Sequence, residues 1–355
     1  MAQTSAGFHR GLALLLALFA LALAACTTAP PSRADRAQNA GRTYVITGAS
    51  SGIGRGVALA LAAQRANVVL AARGATALQS AAAQVQATGG TPLAVVVDVS
   101  RPEDMERLAA AAVARFGRID VWINNAGVGA IGPFGRIPPA DHGRVVDVNL
   151  KGVIFGSHVA LAQFRRQGAG TLVNIGSVEG ELPVAQHASY AASKAAVMAL
   201  GRALNEELRM EGQKKIRVAT VLPSATDTPF FNHAANYSGH PLGLVLLDPP
   251  EKVVNVVLHA ALHPREEMPV GWKAWLVYHG HRLAPDFAER MATVLYEKLV
   301  LEDAPPAADS SGNLHAPSPG PGAVEGGVEE RMRAQKEAQR RKRQEPPAPL
   351  PAPAH

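Results

Sequence analysis

The chain has 355 residues, 47% of them hydrophobic and 18% charged, enough length and apolar content to bury one sizeable core. Its formal charge of +6 is not gathered in a tail, since from residue 301 onward seven Lys/Arg face eight Asp/Glu, and no nucleic-acid partner follows from it. Cys26 is the only cysteine, which excludes an internal disulfide.

Residues 1–10 are polar and end in Arg10, whereas residues 11–25 carry no charge. Such a run reads as a secretory signal or short membrane anchor outside the fold. It ends in Leu23-Ala24-Ala25-Cys26, which resembles the lipobox of bacterial lipoproteins, where the cysteine is lipidated. Arg33, Arg36 and Arg42 follow the run, and by the positive-inside rule they hold the domain on the cytoplasmic side of an uncleaved anchor. The lipobox places it on the other side, so the expectation is membrane association with the facing side open. Residues 27–41, with Pro30 and Pro31, read as a linker.

The folded domain is expected over 42–300. Thr43 to Thr47 (T-Y-V-I-T) is a β-branched strand pattern, followed by G-A-S-S-G-I-G and an Ala/Leu helix pattern. Gly48, Gly52 and Gly54 let the backbone turn tightly and approach a pyrophosphate, which N–H groups at the helix start would meet. The second strand pattern, N-V-V-L-A, ends at Ala72-Arg73. An acidic residue is usual here for an NAD ribose, whereas an Arg suits a 2′-phosphate; NADP(H) is therefore preferred, with NAD(H) the alternative. The third strand pattern ends in Asp98-Val99, where the carboxylate could accept from an adenine amino group or cap the S-R-P-E-D turn. The fourth, D-V-W-I-N, runs into Asn124-Asn125-Ala126-Gly127. Strands alternating with helices predict an α/β fold with a doubly wound, mostly parallel sheet.

Ser177 lies just past the apolar run T-L-V-N-I, and Tyr190 and Lys194 stand four apart, on one face of a helix. A phenol ordinarily loses its proton near pH ~10. An ammonium one turn away is expected to lower that value and make Tyr190 a usable acid/base, with Ser177 holding the same substrate oxygen.

These motifs, T47-G-A-S-S-G-I-G54, D98-V, N124-N-A-G127, Asn149, Ser177 and Y190-x-x-x-K194, resemble the short-chain dehydrogenase/reductase family in order and spacing over about residues 42 to 235, and more weakly to roughly 300. The resemblance implies a single-domain Rossmann fold. It implies Tyr190 as catalytic acid/base, Lys194 on the nicotinamide ribose, Ser177 orienting the carbonyl, and Asn149 holding a water in a proton relay to Lys194. Cofactor contacts would come from Gly48, Ser50, Ser51, Gly52, Ile53, Gly54, Arg73, Asp98, Val99, Asn125, Ala126, Gly127, Tyr190, Lys194, Pro223 and Thr228. Many relatives form dimers or tetramers, which makes a homodimer or homotetramer an expectation.

The family usually has Pro-Gly after the sixth strand, and here Pro223-Ser224 stands, which is expected to reshape the loop because Ser accepts a left-handed conformation less readily. A substrate lid is expected at about 224–250, with Phe230, Phe231 and Tyr237 lining an apolar pocket or packing the loop. The amphipathic segment from Trp272 is expected to cover the sheet or a subunit contact rather than rest on a membrane. No metal pattern occurs, for there is neither H-E-x-x-H nor a cysteine cluster. Residues 301–355, rich in Pro, Ala and charge, read as a disordered tail.

The function expected is hydride transfer between NADP(H) and a carbonyl or secondary alcohol of an apolar small molecule. Alternatives are a 3-oxoacyl thioester reductase and a non-catalytic, membrane-tethered nucleotide-binding protein.

Overall fold

The computed structural model describes residues 28–242, 247–298, 306–328, 330, 331 and 334. The apolar leader with Cys26, residues 243–246 of the expected lid and the charged run beyond 334 lie outside the described residues.

Residues 27–41 are not merely a linker. Ser32 and Asp35 form a reciprocal capping box that starts helix α1 (Arg33–Asn39), with Ser32 Oγ accepting from Asp35 N–H at 3.0 Å. Its last residue, Asn39, is fully buried and donates to Gln64 Oε1 at 2.7 Å. The helix is thereby fastened to the domain.

From there strands and helices alternate: β1 (Thr43–Thr47), α2 (Gly52–Ala62), β2 (Asn67–Ala72), α3 (Ala75–Thr88), β3 (Thr91–Val96), α4 (Pro102–Phe116), β4 (Val121–Asn124), a short β5 (Ala130–Ile131), α5 (Pro139–Val146), α6 (Gly152–Gln167), β6 (Gly170–Ile175), α7 (Ala188–Met210), β7 (Ile216–Leu222), α8 (Phe230–His233), β8 (Ala235–Asn236), α9 (Pro250–Leu262), β9 (Glu267–Pro269), α10 (Gly271–Leu283) and α11 (Pro285–Tyr296). Seven strands form one parallel sheet in the order β3-β2-β1-β4-β6-β7-β9, and β5 pairs with β8 beside it. Strands buried on both faces are near-continuous apolar runs, as β1 and β4 are.

Alternate side chains of each strand enter opposite layers. Ile46, Leu70, Ile123 and Val173 pack against α2, α3 and α9, whereas Val45, Val69, Trp122 and Leu172 pack against α4, α6 and α7. Strand order reverses between β1 and β4, so their carboxyl ends open a crevice at the switch point. Among the described residues one helical stretch, Pro139–Gln167, is long and apolar enough to cross a membrane, yet half of that window is buried inside the domain.

α10 covers the domain with one side only. Ala274 and Tyr278 pack on Val178, Met198 and Leu222, while Trp272, Trp275 and Leu276 remain exposed. On α11 Phe287, Met291 and Leu295 are exposed as well.

The tail also departs from expectation. Composition predicts disorder from 301 onward, and residues 306–328 do lack long regular elements, but their backbone is bonded to the domain. Ser310 and Asn236 exchange hydrogen bonds of 2.7 and 2.9 Å, and Leu314 and Val328 are fully buried. A few buried side chains and backbone bonds hold a segment too poor in apolar residues to form a core of its own.

Candidate active site

The turn after β1 is closely packed against the end of β4. Gly48 has φ +67°, and a Cβ there would lie 2.8 Å from Ala126 Cα; a Cβ on Gly54 would lie 2.5 Å from both Gly48 O and Asn125 Nδ2. Only glycine permits this approach. Across the turn, Asn125 Nδ2 donates to Thr47 O at 2.9 Å, and Thr47 Oγ1 accepts from the N–H groups of Asn125 and Ala126 at 3.0 and 3.1 Å. α2 thus begins directly at the crevice, presenting its positive end.

A cavity of about 260 Å³ follows the crevice. Gly48, Ser50, Ser51, Gly52, Ile53, Arg73, Asp98, Val99, Asn125, Ala126, Gly127, Ser177, Tyr190, Lys194, Pro223 and Thr228 all line it. Gly54 and Asn149 do not: Gly54 packs beneath the turn, and Asn149 lies behind Gly127. The long groove with a glycine floor, a helix start midway and a cation at one end fits a dinucleotide.

At the other end Ser177, Tyr190 and Lys194 converge, with Asn149 behind them. Asn149 is fully buried on a π-helical turn, Asp147–Lys151, a local widening of the helix that occurs mostly at functional sites. Its Oδ1 accepts from Val128 N–H at 2.9 Å, and its Nδ2 donates to Val128 O at 2.9 Å and Ser193 Oγ at 3.2 Å. Ser177 caps the short helical turn Val178–Gly180, accepting from Glu179 N–H at 3.1 Å. Tyr190 and Lys194 occupy the first turns of α7, and Lys194 Nζ donates to Ile175 O at 2.7 Å. The Tyr190 ring lies 5.7 Å from that of Phe230.

The electrostatics correct one expectation. Burial raises the Tyr190 phenol above its ordinary range, with the Glu179 carboxylate adding to the rise and a hydrogen bond with Ser177 opposing it. Burial pulls the Lys194 ammonium down to about 8, Glu179 opposing. In this arrangement desolvation outweighs the neighbouring ammonium, which is turned toward the Ile175 carbonyl. The phenol is therefore protonated at neutral pH.

Two loop residues take up partners within the protein. Asp98 caps the following turn, its Oδ1 accepting from Ser100 N–H at 3.0 Å and Ser100 Oγ–H at 2.7 Å, and its Oδ2 pairs with Arg144 at 2.6 Å. Burial alone would raise this carboxyl, but Ser100 and Arg144 hold it below the usual range. Ser224 adopts no left-handed conformation; its hydroxyl donates to Asp248 Oδ2 at 2.7 Å, and Asp248 in turn holds Lys252 and Lys273. A polar side chain fixes the loop where the family pattern has glycine. Of the lid aromatics, Phe230 and Phe231 line the cavity, while Tyr237 packs in the core with its hydroxyl on Asp141.

Sequence reasoning assigned no role to Arg144, Glu179 or His187. His187 Nδ1 lies 2.8 Å from Glu179 Oε2 at the cavity wall; burial opposes its charge, but the carboxylate keeps the imidazole above its ordinary range. Both residues lie within ten positions of Ser177, but short polar segments carry no signal of which side chain turns inward. Among the described residues no group of three or more His, Cys, Asp or Glu is placed to hold a metal ion.

Residues 42–237 match the model of the short chain dehydrogenase family. The oxidoreductase YxnA of Bacillus subtilis, itself uncharacterised, is 34% identical over 261 residues, 72% of each chain. Cyclohexanol dehydrogenase of an Acinetobacter species is 34% identical over 61% of this chain and 86% of its own. The crystal structure of an alcohol dehydrogenase from Thermococcus sibiricus in complex with 5-hydroxy-NADP superposes with a TM-score of 0.55 at 27% identity, covering 64% of this chain and 94% of that one.

Gly54→Ala is expected to weaken dinucleotide binding at least tenfold and to destabilise the domain by about 1–3 kcal/mol, since the added methyl meets backbone on one side. Nucleotide titration and urea unfolding of the variant check both.

Proposed function

The chain belongs to the short-chain dehydrogenase/reductase family and is an NAD(P)-dependent oxidoreductase acting on CH–OH groups; on that premise we propose that it uses NADP(H) and interconverts a carbonyl and a secondary alcohol of an apolar, neutral small molecule. The observation that carries this reading is the convergence of Ser177, Tyr190 and Lys194 on one end of a groove whose other end holds Arg73 and Asp98, with Arg144 behind them on Asp98. Those two cations at the end of β2 and beside Asp98 suit a 2′-phosphate, and no carboxylate follows β2 to select a ribose 2′-hydroxyl. Phe230 and Phe231 at the reacting end favour an apolar substrate, in keeping with a relative named for cyclohexanol.

Bound nicotinamide supplies or takes the hydride at carbon. The protein's part is to position and to move the proton. Ser177 and Tyr190 donate hydrogen bonds to the substrate oxygen, Phe230 limits water beside it, and Tyr190 passes its phenolic proton to that oxygen as the carbonyl becomes an alcohol. Lys194 stands ready to meet the charge left on the phenolate, its Nζ 5.7 Å from the centre of the Tyr190 ring. Asn149 holds the wall at Val128 and Ser193, fixing the pocket behind Lys194.

Tyr190→Phe is expected to retain cofactor binding and lose at least about a thousandfold in kcat; near-normal turnover in a purified, folded sample would remove Tyr190 from the mechanism. The pH dependence has opposite signs in the two directions. Carbonyl reduction consumes the protonated phenol, which predominates below its raised pKa, so Tyr190 imposes no loss of rate between about pH 6 and 8. Alcohol oxidation needs the phenolate, so its rate should climb nearly tenfold per pH unit over about pH 7–9. A flat oxidation profile counts against the assignment. Cofactor choice is read by titrating NADPH and NADH into the protein and into Arg73→Ala: preference for NADPH by at least tenfold, lost in the variant, is expected, and equal binding of the two by the parent protein would reverse the NADP assignment.

A further inference from the structure

The segment from Asn313 to Ala323 crosses the dinucleotide groove while both its flanks are fixed. On one side Leu314 is fully buried in the layer that holds Val95 and Val145, Asn313 N–H donates to His233 O at 2.8 Å, and Ser310 pairs with Asn236. On the other side Val328 is fully buried and its N–H donates to Asp227 Oδ1 at 3.0 Å. Between these anchors Pro317, Ser318, Pro319, Gly320 and Gly322 face the same cavity as Ser50 and Arg73.

The strap meets the groove through carbonyl oxygens. Arg73 donates to Asn313 O at 2.6 Å and Leu314 O at 2.9 Å, and Arg144 Nε donates to Leu314 O at 3.0 Å. Arg55 donates to Pro321 O, and Gly52 N–H, the first of α2, donates to Ala323 O at 2.7 Å. Pro317, Pro319 and Pro321 have no N–H to offer. The strap therefore presents acceptors to a row of donors, which is the chemistry a dinucleotide's phosphates present. A carbonyl oxygen and a phosphate oxygen cannot occupy one position. The phosphate makes the stronger, charge-assisted bond, while the strap has the advantage of belonging to the same chain.

Building on the dinucleotide reading above, we propose that residues 313–323 are an internal competitor for the cofactor: the stretch 315–323 holds Gly52 until it lifts between its anchors at Leu314 and Val328, and Arg73, held by the carbonyls of Asn313 and Leu314, is released when the Leu314 anchor itself lets go. Gly320 and Gly322, at φ +91° and +74°, lie within the lifting stretch and give it freedom to bend. Apparent affinity for the cofactor is then the intrinsic affinity reduced by the fraction of molecules with the strap open.

A disulfide can hold the strap shut. A Cβ built on Gly74 lies 3.3 Å from Pro317 Cβ, close to the span of about 3.5–4.5 Å that a disulfide needs, and Gly74 has an ordinary φ of −82°. In the full chain carrying Cys26→Ser, Gly74→Cys and Pro317→Cys, NADPH fluorescence titration is run on the oxidised protein and again after reduction by dithiothreitol. The expected result is binding at least tenfold weaker when oxidised, recovering to that of the parent on reduction. Equal binding in the two states, or tighter binding when oxidised, overturns the competition. Leu314→Ala, which loosens one anchor, gives an independent reading in the opposite direction: NADPH should bind several-fold more tightly, and unchanged or weaker binding contradicts the proposal. If the parent protein binds neither NADPH nor NADH, the dinucleotide reading itself fails, a result distinct from equal binding in both redox states.

Discussion

The carboxyl ends of β1 and β4 are laced together by Thr47 and Asn125, and the closeness of that lacing governs what the crevice can do. Each partner satisfies polar groups that the strand ends leave over, so the two strands can stop side by side without orphaned backbone. The approach leaves no room for a side chain at Gly48 or Gly54. α2 is consequently drawn up to the sheet with its first N–H groups at the switch point, and the groove that results is deep enough for a long ligand. The residues proposed for substrate chemistry and cofactor binding then stand along one groove, from Tyr190 and Lys194 at one end to Arg73 at the other.

Burial works against charge at the reacting end. Lys194 and Tyr190 are ionisable groups within an apolar surround, and desolvation favours the neutral form of each. A neutral phenol is a proton donor, so the resting arrangement is set for delivering a proton to a carbonyl oxygen. Glu179 acts against the phenolate and in favour of the ammonium, and its pairing with His187 fixes where that carboxylate stands. The acid/base character of the phenol is thus set first by burial, with Glu179 raising it and Ser177 lowering it.

The backbone framework was legible because it is written locally. Thr43 to Thr47 and Asn67 to Ala72 are strands where their β-branched runs suggest, and the glycine turn lies between strand and helix as its spacing requires. The gathering of Asn149, Ser177, Tyr190 and Lys194 was legible through the family resemblance. Direction of titration was not, because spacing along a helix says which groups are neighbours and says nothing of how much water surrounds them. Arg144 was invisible for another reason: it stands forty-six residues from Asp98, and an arginine on an amphipathic helix looks like any solvated one. The strap was hidden by its own composition, since Pro and Gly announce the absence of a core while revealing nothing of which donors their carbonyls will meet.

The position of that strap in the chain has a consequence for biosynthesis. Every wall of the groove up to Thr228 is translated before Leu314 and Val328, the latter following Thr228 by 100 residues. At about 5–20 residues per second, those residues take roughly 5–20 s to be made. During that interval on the ribosome the growing protein contains the glycine turn, Arg73 and Arg144, but not the segment that bonds to them. On the proposed competition, a nucleotide in the surrounding solution would have its first opportunity to meet the groove in the nascent chain, before the carboxyl-terminal segment is made.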